Sequence, residues 1–368
     1  MKQKKIIFVL PQLKTGGGVR VIIELSNILI KKYAVHFVLP NSQSECTFKV
    51  HKDITIEKIG DLPKNSLDKI KNIVKMFLYL NKRYKNEIVI TTDPLFSPIF
   101  MLFNFKKLYR YIQADDYRIF DDLLLLKNRF FLTIYKFITK ISYKQNIKYL
   151  FNSTFSYEQF IALKGKNVPK KIVHPSINHE IFHLLDLPRK SEGINLCLIA
   201  RKHPMKRFED FVKVYKEIKM LPHIRDKISN IYVISHDDLS QFDLSDFTMI
   251  IPKNDYQIVE ALNRSDIYIF TSLWEGFGLP PLEAMSCGCA VIASDAKGID
   301  EYAIDRENAL IYPPMDTEAL KEKLIRLVED ELLLKKLQKN GVETAQNFSW
   351  AKSAKQLETH LFKEDIYA

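Results

Sequence analysis

Two glutamates, Glu275 and Glu283, flank glycines and a double proline in the otherwise apolar stretch SLWEGFGLPPLEAMSCGCAVIASD, Ser272 to Asp295. A carboxylate only accepts hydrogen bonds and takes two at once, which suits the vicinal hydroxyls of a ribose or a hexose. The preceding run DIYIFTS reads as a strand and Leu273 to Leu279 as the loop after it. Pro280 and Pro281 suit the first turn of a helix ending near Gly288. Glu275 is thus expected on the loop and Glu283 in the first turn of the helix, where an acid is also favoured by the helix dipole alone. With backbone N–H donors of the glycine loop between them, the two carboxylates would hold a nucleotide sugar by both of its sugars and its diphosphate.

Two further stretches have residue types suited to phosphate. In LIARKHPMKRFEDF, Arg201 directly follows the strand-like INLCLIA, and Lys206 stands just before a helix whose apolar face is Phe208, Phe211, Val212, Tyr215 and Ile218. An arginine fork and a lysine point charge at a strand's carboxyl end would neutralise a diphosphate, although a solvated loop accounts for the same residues. In PQLKTGGGVRVIIEL, Gly16, Gly17 and Gly18 end a strand-to-helix loop, where glycine admits a ligand to the backbone and the helix start offers N–H groups. A tight turn that merely needs glycine is the alternative, because neither of the familiar glycine fingerprints for nucleotides is present.

The elements that must carry these residues alternate along the chain. KKIIFVLP, YAVHFVL, EIVITT and IKYLFNS in the first half read as strands, as do INLCLIA, ISNIYVIS, FTMII, DIYIFTS and CAVIASD in the second, with helical periodicity between several of them. Such alternation predicts an α/β fold with two parallel sheets, each covered by helices on both faces. The 368 residues, 46% of them apolar, suffice for two folded domains. Proline and polar residues break the pattern between Pro175 and Gly193. Ligands in open α/β sheets bind beyond the carboxyl ends of the strands, where Arg201, Lys206 and Glu275 all fall.

The run SLWEGFGLPPLEAMSCGCAVIASD resembles the E-x7-E signature of the family-four retaining glycosyltransferases. The glycine loop GGGVRVIIEL, Arg201 with Lys206, DIYIFTS and the late NFSW are similar to the layout of that family from end to end. The resemblance implies the GT-B fold of two Rossmann-like, doubly wound domains facing a central cleft. It implies an acceptor-binding domain over 1–183, a nucleotide-sugar domain over 184–349 and a helix over 350–368 that packs back on the first. By the same resemblance Arg201 and Lys206 stabilise the departing diphosphate, and Glu275 with the N–H groups of Phe277 and Gly278 holds the transferred sugar. Glu283 binds the donor ribose, Leu279 belongs to the same donor-binding loop, and Gly16 and Gly17 close on the diphosphate. No cofactor and no metal are expected, since cations so placed stabilise the leaving group themselves and no D-x-D pattern stands out. Three departures stand beside the match. Arg207 occupies a position where many relatives have glycine, VISHDD stands where a G-x-G segment is usual, and RYIQADDY offers Gln113, Asp115 and Asp116 where relatives often place a histidine. Similar Q-x-x-D/E stretches occur in transferases of deoxysugars. A helix cap is the competing role for either aspartate.

Charge separates the two halves. Residues 1–187 hold 31 Lys and Arg against 15 Asp and Glu, and residues 188–368 hold 24 against 29, so the net +11 comes from the first half. NSLDKIKNIVKMFLYLNKRYKN and DDLLLLKNRFFLTIYKFITKISYKQ mix bulky apolar residues with lysines as interfacial helices do. An anionic inner-membrane surface is one expected partner, beside the nucleotide sugar and a glycan or lipid-linked acceptor; the alternative is helices that pack on the first sheet and show their lysines to water. Nucleic acid is not expected, because the aromatic residues lie in apolar helical runs and no binding module is recognisable. A nucleotide-sugar epimerase using the same cleft is the rival enzyme. A cytoplasmic protein is expected: no run reaches the length of a membrane span, and the short apolar run near the start lacks a cleavage site. Cys287 and Cys289 form a C-x-C without a second ligand pair, so buried thiols are expected rather than a metal site. The composition, rich in Lys, Ile and Asn, resembles that of bacterial proteins and suggests assembly of a surface polysaccharide.

Overall fold

Consecutive apolar residues, as in KIIFV and IYIF, leave no face for water, and a parallel sheet flanked by helices is the arrangement that covers both sides. The computed structural model describes residues 3–14, 16–42, 48–120, 128–164, 167–187 and 192–362. It has two compact units, one of residues 1–175 with 350–368 and one of residues 176–349.

The first unit contains β1 (Lys5–Val9), β2 (Ala34–Pro40), β3 (Thr55–Ile59), β4 (Ile88–Thr91), β5 (Lys107–Ile112) and β6 (Lys148–Phe151) in one parallel sheet of order β3-β2-β1-β4-β5-β6. The order reverses beside β1, so the loop after β1, which ends at Gly16 before a helix opening on Gly17 and Gly18, leaves the sheet at a switch point, where such folds admit ligands. The helix Trp350–Phe362 belongs to this unit. It is tied there by an ion pair from Lys32 to Glu358 at 3.1 Å, by Phe362 stacked on Tyr33, and by Gln356 Oε1 accepting the His174 N–H at 3.0 Å.

The second unit repeats the plan with β7 (Ile194–Ile199), β8 (Ile228–Ile234), β9 (Thr248–Ile250), β10 (Ile267–Phe270), β11 (Ala290–Ser294) and β12 (Ala309–Tyr312), in the order β12-β11-β10-β7-β8-β9. Its switch point lies between β7 and β10. Residues 176–183 pack with this unit rather than with the first: Ile177 bridges to Ser349, and the Phe182 carbonyl accepts from Ser286 Oγ at 2.7 Å. The unit therefore begins at Ser176, ahead of the 184 expected from sequence. Cys197, Cys287 and Cys289 are buried free thiols, and burial pushes Cys197 up to about 12. Cys289 donates to the Leu262 carbonyl at 3.1 Å, and no cluster of His, Cys, Asp and Glu among the described residues could hold a metal ion.

Candidate active site

The loops after β7 and β10 meet at the switch point of the second sheet. After β7 the chain forms a short 3-10 turn, Pro204–Lys206, whose N-cap His203 accepts the Met205 N–H. The Leu273 N–H donates to the Met205 carbonyl at 2.7 Å and Thr271 Oγ1 to the Lys206 carbonyl at 2.6 Å, so the loop after β10 fixes the backbone that carries Lys206. The Lys206 ammonium pairs directly with the Glu275 carboxylate, which also accepts from Ser272 Oγ at 2.9 Å. The cation and the acid named from sequence thus share one site. Burial, followed by the Lys206 ammonium, holds His203 below its ordinary value.

Two residues unremarked in the sequence hold the Glu275 loop in place. Gly298 lies so close that a Cβ there would fall 2.5 Å from the Glu275 carbonyl oxygen and 2.6 Å from both Gly276 C and Phe277 N. The turn before it is tight: Lys297 takes φ 63 and ψ −55, and the Gly298 N–H returns to the Ala296 carbonyl at 2.7 Å. That is a γ-turn of the strained, positive-φ kind. The Ala296 carbonyl also accepts the Glu275 N–H at 2.8 Å, so this one oxygen links the turn to the loop. Tyr302, buried against Phe277 and Phe348, donates its hydroxyl to the Gly278 carbonyl. Burial first, then the Glu275 and Glu283 carboxylates, raises its phenol well above the usual value.

Gly278 takes a left-handed φ of 81 and caps the helix Leu279–Ser286. The helix starts at Leu279, before the prolines, so Glu283 lies past the first turn that the sequence suggested and is buried at 6% exposure. An acid at a solvated helix start gains from the dipole; at this position that reason is gone. Because Pro280 and Pro281 have no N–H, the donors of the first turn are confined to Gly278 and Leu279. The helix closes in a Schellman motif, with Cys289 N–H on Ala284 O and Gly288 N–H on Met285 O, both at 3.0 Å.

The two departures in this unit acquire a structural account. Arg207 takes the left-handed conformation at φ 50, where glycine is the unstrained residue, and its guanidinium grips Asp210 at 2.7 and 3.0 Å. Asp237, in the VISHDD segment, accepts from Arg201 Nε at 3.0 Å and the Lys202 N–H at 2.7 Å. Burial pushes the Asp237 carboxyl up, but those two donors outweigh it and hold it below the carboxylate norm. Arg201 is half exposed.

In the first unit Gly16 precedes the helix Gly17–Leu29 with an extended φ of 175, and a Cβ at Gly16 or Gly17 would meet nothing within 4 Å. Neither a turn nor packing within the unit demands glycine there. Gln113 reaches this loop, its Nε2 donating to the Gly18 carbonyl at 3.3 Å. The neighbouring aspartates are engaged inside the unit. Asp115 accepts the Tyr117 and Arg118 N–H groups of the turn that follows it and pairs with Arg118 Nε at 2.6 Å. Asp116 pairs at 2.5 Å with Arg110, which is fully buried in β5 and also donates to Ser142.

Burial, opposed by Arg110 and reinforced by the Asp93 and Asp115 carboxylates, pushes Asp116 up to about 6. A folded-state value above the unfolded one stabilises below the unfolded value, and that contribution fades as pH rises from about 4 towards 6. Asp116→Asn removes the titration, so unfolding free energies at pH 4 and pH 7 should show the variant gaining on the wild type by on the order of 2 kcal/mol. Parallel pH profiles would contradict it.

The family model described as "Glycosyl transferases group 1" matches residues 186–344. An uncharacterized glycosyltransferase of Methanocaldococcus jannaschii is 26% identical over 356 residues, covering 89% of each chain. The serotype-specific mannosyltransferase WbdA of Escherichia coli is 34% identical over 100 residues, 27% of this chain and 12% of WbdA. Among solved structures, the sucrose-phosphate synthase of Thermosynechococcus elongatus superposes with a TM-score of 0.82 at 16% identity over all of both chains. WaaG, a glycosyltransferase involved in lipopolysaccharide biosynthesis, superposes with a TM-score of 0.77 at 13% identity, covering 97% of this chain and 99% of WaaG. These matches leave the epimerase and nucleic-acid readings without support. Two parallel six-stranded sheets that superpose on these solved structures give the chain the GT-B fold, and its second unit has the sequence pattern of the group 1 glycosyl transferases.

Proposed function

We propose that the protein transfers a hexose or deoxyhexose, with retention, from a nucleoside-diphosphate sugar to a glycan or lipid-linked acceptor, in cytoplasmic assembly of a bacterial surface polysaccharide. The observation that carries the reading is the meeting of Lys206, Glu275 and the Gly278 helix start at one switch point, with Arg201 at the end of the adjoining strand. As the sugar leaves, positive charge grows on the anomeric carbon and negative charge on the diphosphate. Lys206 and Arg201 are suited to the second, and preorganised charge of this kind lowers the barrier without a metal. Each cation is held by an acid, Glu275 or Asp237, so donor binding exchanges an internal ion pair for one with phosphate. Glu275 is thereby released towards the sugar hydroxyls, and Gly278 and Leu279 offer N–H donors beside it. The substrate class is supported by similar proteins: Anabaena HepE forms a complex with UDP-glucose, and WbdA is a mannosyltransferase. Buried free thiols suit a reducing compartment.

Thermal shift of the purified protein with UDP, GDP, dTDP and CMP and their sugars, repeated with Glu283→Ala and Arg201→Ala, tests the reading. One nucleotide should stabilise the wild type, by about 2.7 kcal/mol at a hundredfold excess over its Kd, and the shift should vanish in both variants. No shift with any nucleotide, or shifts that survive both substitutions, would sink it.

A further inference from the structure

His203 stands in the chain between Arg201 and Lys206 and has one ring nitrogen to spare. It caps the turn Pro204–Lys206: Nδ1 accepts the Met205 N–H at 3.3 Å, and the His203 carbonyl accepts the Lys206 N–H at 2.9 Å. With Nδ1 an acceptor, the neutral ring carries its proton on Nε2. Nε2 has no hydrogen-bond partner among the described residues, and the residue is exposed. Capping does not call for a histidine, because Ser, Asp or Asn caps a turn with a shorter side chain. What imidazole adds is a donor whose direction the capping nitrogen fixes.

The charged groups around this turn come from three loops. Arg201, Lys202 and Lys206 follow β7, His236, Asp237 and Asp238 follow β8, and Glu275 follows β10. Arg201 pairs with Asp237 at 3.0 Å and Lys206 pairs with Glu275, so these four charges cancel, as do those of Lys202 and Asp238. In that balanced setting burial and the two cations, Lys206 and Arg201, outweigh the Glu275 and Asp237 carboxylates and disfavour the imidazolium. A nucleoside-diphosphate sugar brings two negative charges and no phosphate group that titrates near neutrality. The balance then turns negative, and negative charge beside an imidazole favours its protonated form.

We propose that His203 is a third diphosphate-binding group, which donates Nε2–H to a phosphate oxygen of the donor and takes up a proton as the donor binds. The inference rests on the transferase reading above and adds a proton to it. An aspartate at 203 would cap the turn and repel the diphosphate; an asparagine would cap it and carry no proton. Histidine is the residue type that is uncharged while the ion pairs are closed and becomes a cation when phosphate replaces them.

Isothermal titration calorimetry of the full chain with UDP-glucose, GDP-mannose and dTDP-rhamnose tests this. The sugar nucleotide that the wild type binds should bind about tenfold more tightly near pH 5.5 than near pH 8. Titrations near pH 6.5 in two buffers of different ionisation enthalpy should show roughly 0.5–1 proton taken up per site. His203→Asn retains an acceptor for the Met205 N–H, so it should melt with the wild type, bind with an affinity that changes less than about twofold over the same range, and take up no proton. His203→Gln serves the same comparison if the asparagine variant melts early. His236→Gln should behave as the wild type. A wild-type Kd that ignores pH, uptake that survives both His203 variants, or uptake lost in His236→Gln overturns the proposal and leaves the transferase reading standing. Binding of none of the three sugar nucleotides overturns both.

Discussion

Lys206→Ala is expected to lower kcat by about 10²–10³-fold, the scale of removing one preorganised charge from a developing anion. Its backbone is held independently of its side chain by Thr271 Oγ1 and, through Met205, by the Leu273 N–H, so the loop survives the substitution. On the proposed reading the ammonium, paired here with Glu275, is a charge that becomes most valuable when the phosphate leaves. Removing it also leaves a largely buried carboxylate with only Ser272 as its hydrogen-bonded side-chain neighbour, a stability cost of about 1–3 kcal/mol. Initial rates with the donor identified by thermal shift, together with a melting curve, separate the two effects. A kcat within tenfold of wild type would show that Lys206 is a structural partner of Glu275 and little more.

Gly298→Ala is expected to be the most damaging single-methyl change in the site. The three atoms its Cβ would strike all belong to the backbone of the Glu275 loop, and backbone cannot rotate aside as a side-chain tip can. Either the loop lifts, moving Glu275 off Lys206, or the γ-turn at Lys297 opens and loses its hydrogen bond to Ala296. Overpacking of this kind costs about 1–3 kcal/mol. Nucleotide binding should fall with it, because Gly278 rides on the same loop. A variant that melts with the wild type and still binds nucleotide would show that the turn and loop yield easily.

Legibility varied with the range of the interactions involved. β10 and β11 were plain in IYIF and AVIAS because their positions are buried throughout. β3 is not read from sequence because it is an edge strand with polar residues among its apolar ones; β5, KLYRYI, has a lysine and an arginine in its six residues, and β12 is also missed. Glu275 and Lys206 were found because each follows a strand that could be read, and position after a strand is a local property. Tyr302 and Gly298 were not, since each acts on a loop more than twenty residues earlier in the chain and carries no pattern of its own. Asp115 and Asp116 looked equally available in sequence. What separates them is Arg110, a fully buried arginine inside a strand, which no periodicity argument would place there.

The helix Trp350–Phe362 belongs to the first unit although the whole of the second precedes it in the chain. Lys32 and its partner Glu358 are 326 residues apart. During synthesis, therefore, residues 176–349 leave the ribosome with every residue their sheet needs, while the unit that begins the chain still lacks its last helix. The part made first is the part finished last, and until then the apolar side of that helix, Leu357 and Leu361, is missing from its place.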